Sequence, residues 1–547
     1  MDVCLPRDDP RPEQRRARIA RQRDVYGYDH DYLPPLAISQ GCPRAEYFTA
    51  PYLARRLVAS RRLLANLFLA WARTRLASLR LPEDFARMFV TLPRPRSTRA
   101  WRDDVFFARQ RLDGANPMRI RRLLHPDELP FAVGPGGVGE RLPGTGTTVE
   151  DAVEAGALYL ADYAHLAPIG GGEWRGLRRY LPAPRALFHW RTARHAAQGT
   201  LFPVAIELHP GCEVSTPERS RSWDWLAAKL CVQIADANDM ELGSHLARTH
   251  LVIEPFAIAT PRHLAADHPL HRLLEPHLRF LIVNTRLGRQ ILMKPGSLSD
   301  QLCGGTREGS LEIVRDSYRG WSLDGNALDA DLAERCLDDP GLLPDFPYRE
   351  DGRRLWQALR EYVDGYLALY YREPADVAGD AELQAWAAEL ASPDGGRVKG
   401  MPARIDGADT LARVLTMVLF TSGPQHALVN YGQSPFLGFA PNMPLAAYCD
   451  VPTCGAFESD EDLMRVLPPP EWARRQLLTM EGLSAYQHDR LGHYPPGHFR
   501  DPEVQPVIRG LQGRLGEIET AIDERNLERE EAYEFLKPSR VPNSISI

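Results

Sequence analysis

The chain has 547 residues, 44% hydrophobic and 25% charged, values of a globular protein long enough to bury a core without disulfide staples. A formal net charge of −6 supplies no basic field of the kind nucleic acid selects, so a nucleic-acid partner is not expected. The N-terminal stretch has no apolar signal segment, and no apolar run reaches the ~18–20 residues of a spanning helix; a cytoplasmic protein, at most peripheral to a membrane surface, is predicted.

In chain order, residues 1 to about 45 are charged and proline-rich and read as an irregular arm. Residues 51–80 give a strong helical pattern with seven arginines and no acid, and Leu57, Leu64, Leu67, Phe68 and Trp71 fall near one stripe. Such a helix either lies on an anionic bilayer or docks its stripe on the protein body with the arginines in solvent. Residues 128–147 read as a Pro/Gly loop, whose near-matches to a phosphate loop lack the Lys-Ser/Thr and the strand-to-helix frame. One short strand is predicted within 202–210. A mostly helical pattern follows from Trp223 to about Arg289, broken near Pro255 and Pro269, and long helices are expected at 353–372, 409–430, 471–490 and 502–535. The eight cysteines include no CxxC, and Cys449 and Cys454 have the wrong spacing for a zinc knuckle; reduced, mostly buried thiols are expected. The fold class is therefore mainly α, one large helical domain with a few short strands.

Two clusters offer metal-ligand residue types, although each alone also reads as ordinary core histidines or a local side-chain contact. His245 and His250 lie five residues apart in a predicted helix. On an ordinary α-helix that spacing turns the side chains about 140° away from each other. His263, His268, His271 and His277 follow. His426 and Asn430, four apart, share a helix face. The final "RVPNSISI" lacks the charge of a frayed tail, which suits a buried terminus, and a buried carboxylate must be paired or bound to a metal.

The stretch "SHLARTHLVIEPFAIATPRHLAADHPLHRLLEPHLRF" (244–280), the stretch "HALVNYGQSPFLGFAPNMP" (426–444) and the ending "PNSISI" resemble the lipoxygenase family, over about four fifths of the chain. The histidine pattern His245-x4-His250-x17-His268-x8-His277 matches the family signature. The resemblance implies a single non-haem iron, with manganese also compatible with the donors, held by His245, His250, His426, Asn430 and the Ile547 carboxylate. It also implies a π-type bulge that brings the first two histidines together. His268 and His277 are expected to be structural. Glu241 and Gln433 are expected to support the ligands by hydrogen bonding, and Met240 stands where many relatives have a further histidine.

The implied reaction is dioxygenation of a polyunsaturated fatty acid of the linoleate or linolenate type by O2. A ferric hydroxide removes the bis-allylic hydrogen, so no side chain serves as the base. Leu292 and Leu483 align with leucines that flank the reactive carbons. Gly288 stands where the family has Ala in S-forming and Gly in R-forming enzymes, which predicts an R-hydroperoxide, 9R from linoleate; a glycine required by close helix packing is the competing reading. Met443 occupies the place of a carboxylate-binding arginine of plant relatives. The expected organisation is an N-terminal arm with basic amphipathic helices over 1–100 and a catalytic domain over 101–547, a short bacterial or cyanobacterial-type form without the N-terminal β-barrel. Rival readings are a hydroperoxide isomerase forming epoxyalcohols or allene oxides, a non-enzymatic fold relative, and zinc hydrolysis, which lacks an HExxH motif.

Overall fold

The computed structural model describes residues 3–76, 79–134, 136–193, 196–484 and 486–547. The predicted spans 51–80, 128–147 and 471–490 each include positions (77 and 78; 135; 485) outside the described residues.

The arm is not wholly irregular. Helix α1 (Pro12–Val25) forms there with Pro12 in its first turn, where the missing N–H costs nothing. Only Arg15 and Ile19 are buried on it, so no apolar stripe announces the helix. Ion pairs dock it instead: Arg15 Nη2 donates to Glu382 Oε2 at 3.0 Å, and Arg18 Nη2 to Asp267 Oδ2 at 2.8 Å.

Helix α2 (Ala50–Leu76) forms as predicted, but its faces are reversed from the docked reading. Tyr52, Asn66 and Ala70 are buried, while Leu57 and Phe68 are 66% and 67% exposed and Leu64, Leu67 and Trp71 also face outward. Asn66 fastens the inner face: its Nδ2 donates to the Met88 carbonyl at 2.9 Å and its Oδ1 accepts from the Val90 and Thr91 amides.

A five-stranded antiparallel sheet follows, with β1 (Ile120–Arg122), β2 (Leu158–Asp162), β3 (Arg185–Ala193), β4 (Ala196–Glu207) and β5 (Val214–Ser215) each pairing with the next in sequence. The single predicted strand is the end of β4.

The regular elements that follow the sheet are all helical among the described residues. The central helix runs unbroken as α3 (Ser222–Asn238), a π-helical segment (Asp239–Leu251) and α4 (Val252–His263). Nearly every side chain from Trp225 to Thr260 is buried, so the helix is the axis of the core. Pro255 does not break it. That residue lies one turn past the π segment, where the backbone register has already shifted, and the helix ends at Leu264. Around the axis lie α5 (Pro269–Leu278), α6 (Leu281–Gly288), α7 (Pro347–Tyr370), α8 (Ala408–Phe420), α9 (His426–Tyr431), α10 (Pro470–Ser484) and α11 (Val504–Asn526). A second π-helical turn, Thr421–Gln425, joins α8 to α9 without interruption and packs against the first. No helix of the described residues is long and apolar enough to cross a membrane.

Of the eight cysteines only Cys231 and Cys303 are buried, so the expectation of mostly buried thiols does not hold. The others lie in loops and helix ends that are half-covered, Cys449 and Cys454 with their sulfurs 2.9 Å apart.

Candidate metal centre

In the segment Asp239–Leu251 backbone hydrogen bonds run i→i+5, so residues five apart stand one above the other. That puts His245 and His250 on one side, facing His426 at the start of α9. His245 Nε2 is 3.3 Å from His250 Nε2 and 3.3 Å from His426 Nε2. All three rings are buried, and one nitrogen from each lies within 4.8 Å of the other two. The two π segments are what bring residues from separate helices to one point.

The donor set fits a metal ion. A neutral imidazole has one N–H. A proton on His245 Nε2 could serve only one of its two neighbours, leaving the other pair lone pair to lone pair. A cation among the three satisfies all of them, and imidazole–metal bonds of about 2.0–2.1 Å place adjacent donors about 3 Å apart, close to the observed separations. Burial, and next the other imidazoles, push His250 and His426 well below the ordinary histidine value, so they stand as the neutral ligating form.

Asn430 follows on the same face of α9 and is buried; its Oδ1 accepts from Gln433 Nε2 at 3.1 Å. The same Gln433 nitrogen lies 3.4 Å from His245 Nδ1, and Glu241 Oε2 lies 3.7 Å from that atom. Gln433 and Glu241 thus flank the ring edge of His245 that faces away from the cluster. Four buried atoms here have no hydrogen-bond partner among the described residues: Glu241 Oε1, His426 Nδ1, Asn430 Nδ2 and Gln433 Oε1. Met240 is fully buried.

The tail runs inward, and residues 541–547 are all buried without regular secondary structure. The Leu491 amide donates to the Val541 carbonyl at 2.8 Å, and side chains serve the backbone groups that follow. His277 Nδ1 pairs with the Asn543 carbonyl at 3.0 Å, Asn284 Nδ2 donates to the Ile545 carbonyl at 3.2 Å, and Tyr52 Oη donates to the Ser546 carbonyl at 2.5 Å. Asn543 Nδ2 donates to Asp489 Oδ2 and to the carbonyls of Arg490 and His493. A Cβ on Gly423, in the second π turn, would stand 3.0 Å from the Pro542 carbonyl, so glycine lets the tail pass. The Ile547 side chain packs with Tyr52, Phe280, Val283 and Tyr486.

His268 and His277 stand apart from the cluster. His268 Nδ1 caps α5 by accepting from the Leu270 amide, and its Nε2 pairs with Asp380 Oδ2 at 2.9 Å. Met443 is buried, and its carbonyl accepts from Gln476.

Gly288 ends α6 with ordinary helical dihedrals, φ −55° and ψ −46°, and an added Cβ would meet nothing within 4 Å. Close packing therefore does not account for this glycine. It lies one turn beyond Asn284, which holds the tail. Leu292 and Leu483 are half-buried at the edge of the main core. Sequence reasoning missed Tyr52, Asn284, Gly423 and Asn543. The last sits inside the quoted terminal motif; the others carry no signal without knowledge of the tail's path.

The family model "Lipoxygenase" matches residues 87–535. A "Linoleate 9/13-lipoxygenase" of Pseudomonas aeruginosa is 36% identical over 494 residues, covering 85% of this chain and 69% of the relative. A lipoxygenase solved anaerobically in complex with arachidonate superposes with a TM-score of 0.90 at 28% identity, over 100% of this chain and 84% of that one. A coral 8R-lipoxygenase gives a TM-score of 0.88 at 27% identity, over 100% of this chain and 83% of that one.

Proposed function

The chain belongs to the lipoxygenase family, whose members are fatty-acid dioxygenases of the oxidoreductase class, and from that premise we propose that it adds O2 to a linoleate-type polyunsaturated fatty acid to give an R-hydroperoxide. The observation that carries the metal-dependent part is the convergence of three buried Nε2 atoms from His245, His250 and His426. In this reading Asn430 and the Ile547 carboxylate complete an iron site, a donor set that manganese also suits. Bound there, iron supplies the one-electron chemistry that removes the bis-allylic hydrogen.

The chain's own residues do the rest. The buried, neutral imidazoles of His250 and His426 stay available to a metal across the physiological range. Gln433 and Glu241 orient His245. Leu292 and Leu483 flank the pentadiene. Gly288 leaves the space a methyl would fill, one turn from the residue that holds the tail, and directs oxygen to the carbon that gives the R product. The R assignment is in keeping with the 8R specificity named for the coral relative.

Helix α2 is the proposed contact with an anionic lipid surface. Its exposed leucines, Phe68 and Trp71 are interleaved with arginines and no acid. In this division residues 1–100 form the surface-binding unit and 101–547 the catalytic one.

Oxygen uptake tests the reaction type. The dioxygenase consumes O2 on addition of linoleate and forms a conjugated diene. Consumption of an added fatty-acid hydroperoxide without O2 uptake would assign the chain to the isomerase reading instead.

A further inference from the structure

We propose that Tyr52 is a positioning residue for the metal centre: through its hydrogen bond to the Ser546 carbonyl it fixes where the Ile547 carboxylate points. This rests on the reading that the Ile547 carboxylate is a metal ligand. Tyr52 belongs to α2, outside the stretch that the family model matches, yet it is fully buried and reaches the penultimate residue of the chain.

The geometry leaves its hydroxyl one orientation. Arg56 Nη1 donates to Tyr52 Oη at 2.9 Å, and a guanidinium can only donate. The phenol oxygen therefore accepts there, and its proton goes to the Ser546 carbonyl 2.5 Å away. The ring is caged by Phe48, stacked at 4.4 Å between centroids, and by Phe280, Tyr486 and His488. Phe280 and Tyr486 also hold the Ile547 side chain, so one cage grips both Tyr52 and the terminal residue. The hydrogen bonds from Asn284 and Tyr52 fall on successive carbonyls, those of Ile545 and Ser546. The peptide that carries the carboxylate is thus clamped immediately before it. Helix α2, with its exposed apolar and basic face, is the element that closes the clamp.

The test uses iron-loaded full-length protein and two readouts besides turnover: the rate of iron release to a chelator and the electron paramagnetic resonance signal of the ferric form. Tyr52→Phe keeps the ring and removes the hydroxyl. It is expected to release iron about 10–100-fold faster, the range for loss of a group that orients a ligand, to change the ferric signal, and to lower kcat with KM held. Phe48→Leu disturbs the cage but leaves the hydroxyl, and a much smaller change is expected. Equal acceleration in both variants would mean that packing, and not the hydrogen bond, holds the tail, and would overturn the proposal. Removal of Ile547 separates the two claims. Iron loss on its removal with Tyr52→Phe unchanged from wild type overturns the role of Tyr52 alone. Retention of iron and an unchanged signal without Ile547 overturns the ligand reading and the positioning role with it.

Discussion

His245 Nε2 lies 3.3 Å from His426 Nε2, although 181 residues separate the two in sequence. Each sits in or directly after a π-helical segment, and the segments pack on each other. Replacing either histidine by alanine is expected to leave the purified protein without stoichiometric iron and without diene-forming activity. Gln433→Leu, which keeps all the ligands, is expected to cost about 10–100-fold in iron affinity or activity. Metal analysis beside an activity assay checks both.

Gly288→Ala is expected to do two things at once. The added methyl meets open space and the backbone is already helical, so stability should rise by roughly 0.4–1 kcal/mol through loss of freedom in the unfolded chain. The oxygen-side space should close, moving the product from R toward S. Denaturant unfolding and chiral chromatography of the product test the pair. A destabilised variant would mean that the glycine serves packing after all.

Acid should weaken the tail's anchorage. Burial, outweighing the hydrogen bond to the Asn543 carbonyl, pushes His277 down to about 3 from 6.5. The folded state therefore keeps this ring neutral where the unfolded chain binds a proton. The stability it contributes is fully present above about pH 6.5 and is lost as pH falls toward 3, by about 1.4 kcal/mol per pH unit in that window. His277→Gln, neutral throughout, should flatten this part of the curve. Unfolding free energy measured from pH 7 to 4 on both proteins gives the comparison.

Helix α2 should bind anionic vesicles through Leu57 and Phe68, its most exposed apolar side chains. Leu57→Ser with Phe68→Ser should reduce co-sedimentation while activity on dispersed linoleate stays near wild type. Binding should also weaken as salt screens the arginines. Binding unaffected by the double substitution would remove α2 as the contact.

Much of the helical frame was legible because its helices are long and periodic. The three-histidine cluster was legible through the match of its spacing to the family signature, whereas the five-residue interval between His245 and His250 by itself leaves open whether the two rings meet. What escaped has physical reasons. In β2 and β3, Leu158 to Ala161 and Ala186 to His189 are buried in unbroken runs, so the sequence shows no alternation. Helix α1 is held by ion pairs to residues far away in sequence, which periodicity does not register. The inner face of α2 is built from Tyr52, Asn66 and Ala70, so a hydrophobic stripe predicted the wrong side. The role of Tyr52 depends on the path of the last seven residues, which no local pattern encodes.

The most direct test of the metal-centred reading is a single preparation from iron-replete expression, assayed for metal content and then for oxygen uptake, diene formation and product chirality with linoleate. One iron per chain, matched O2 uptake and diene formation, and an R product are expected. Protein that is folded but carries no metal and forms no diene would contradict the assignment built on His245, His250 and His426.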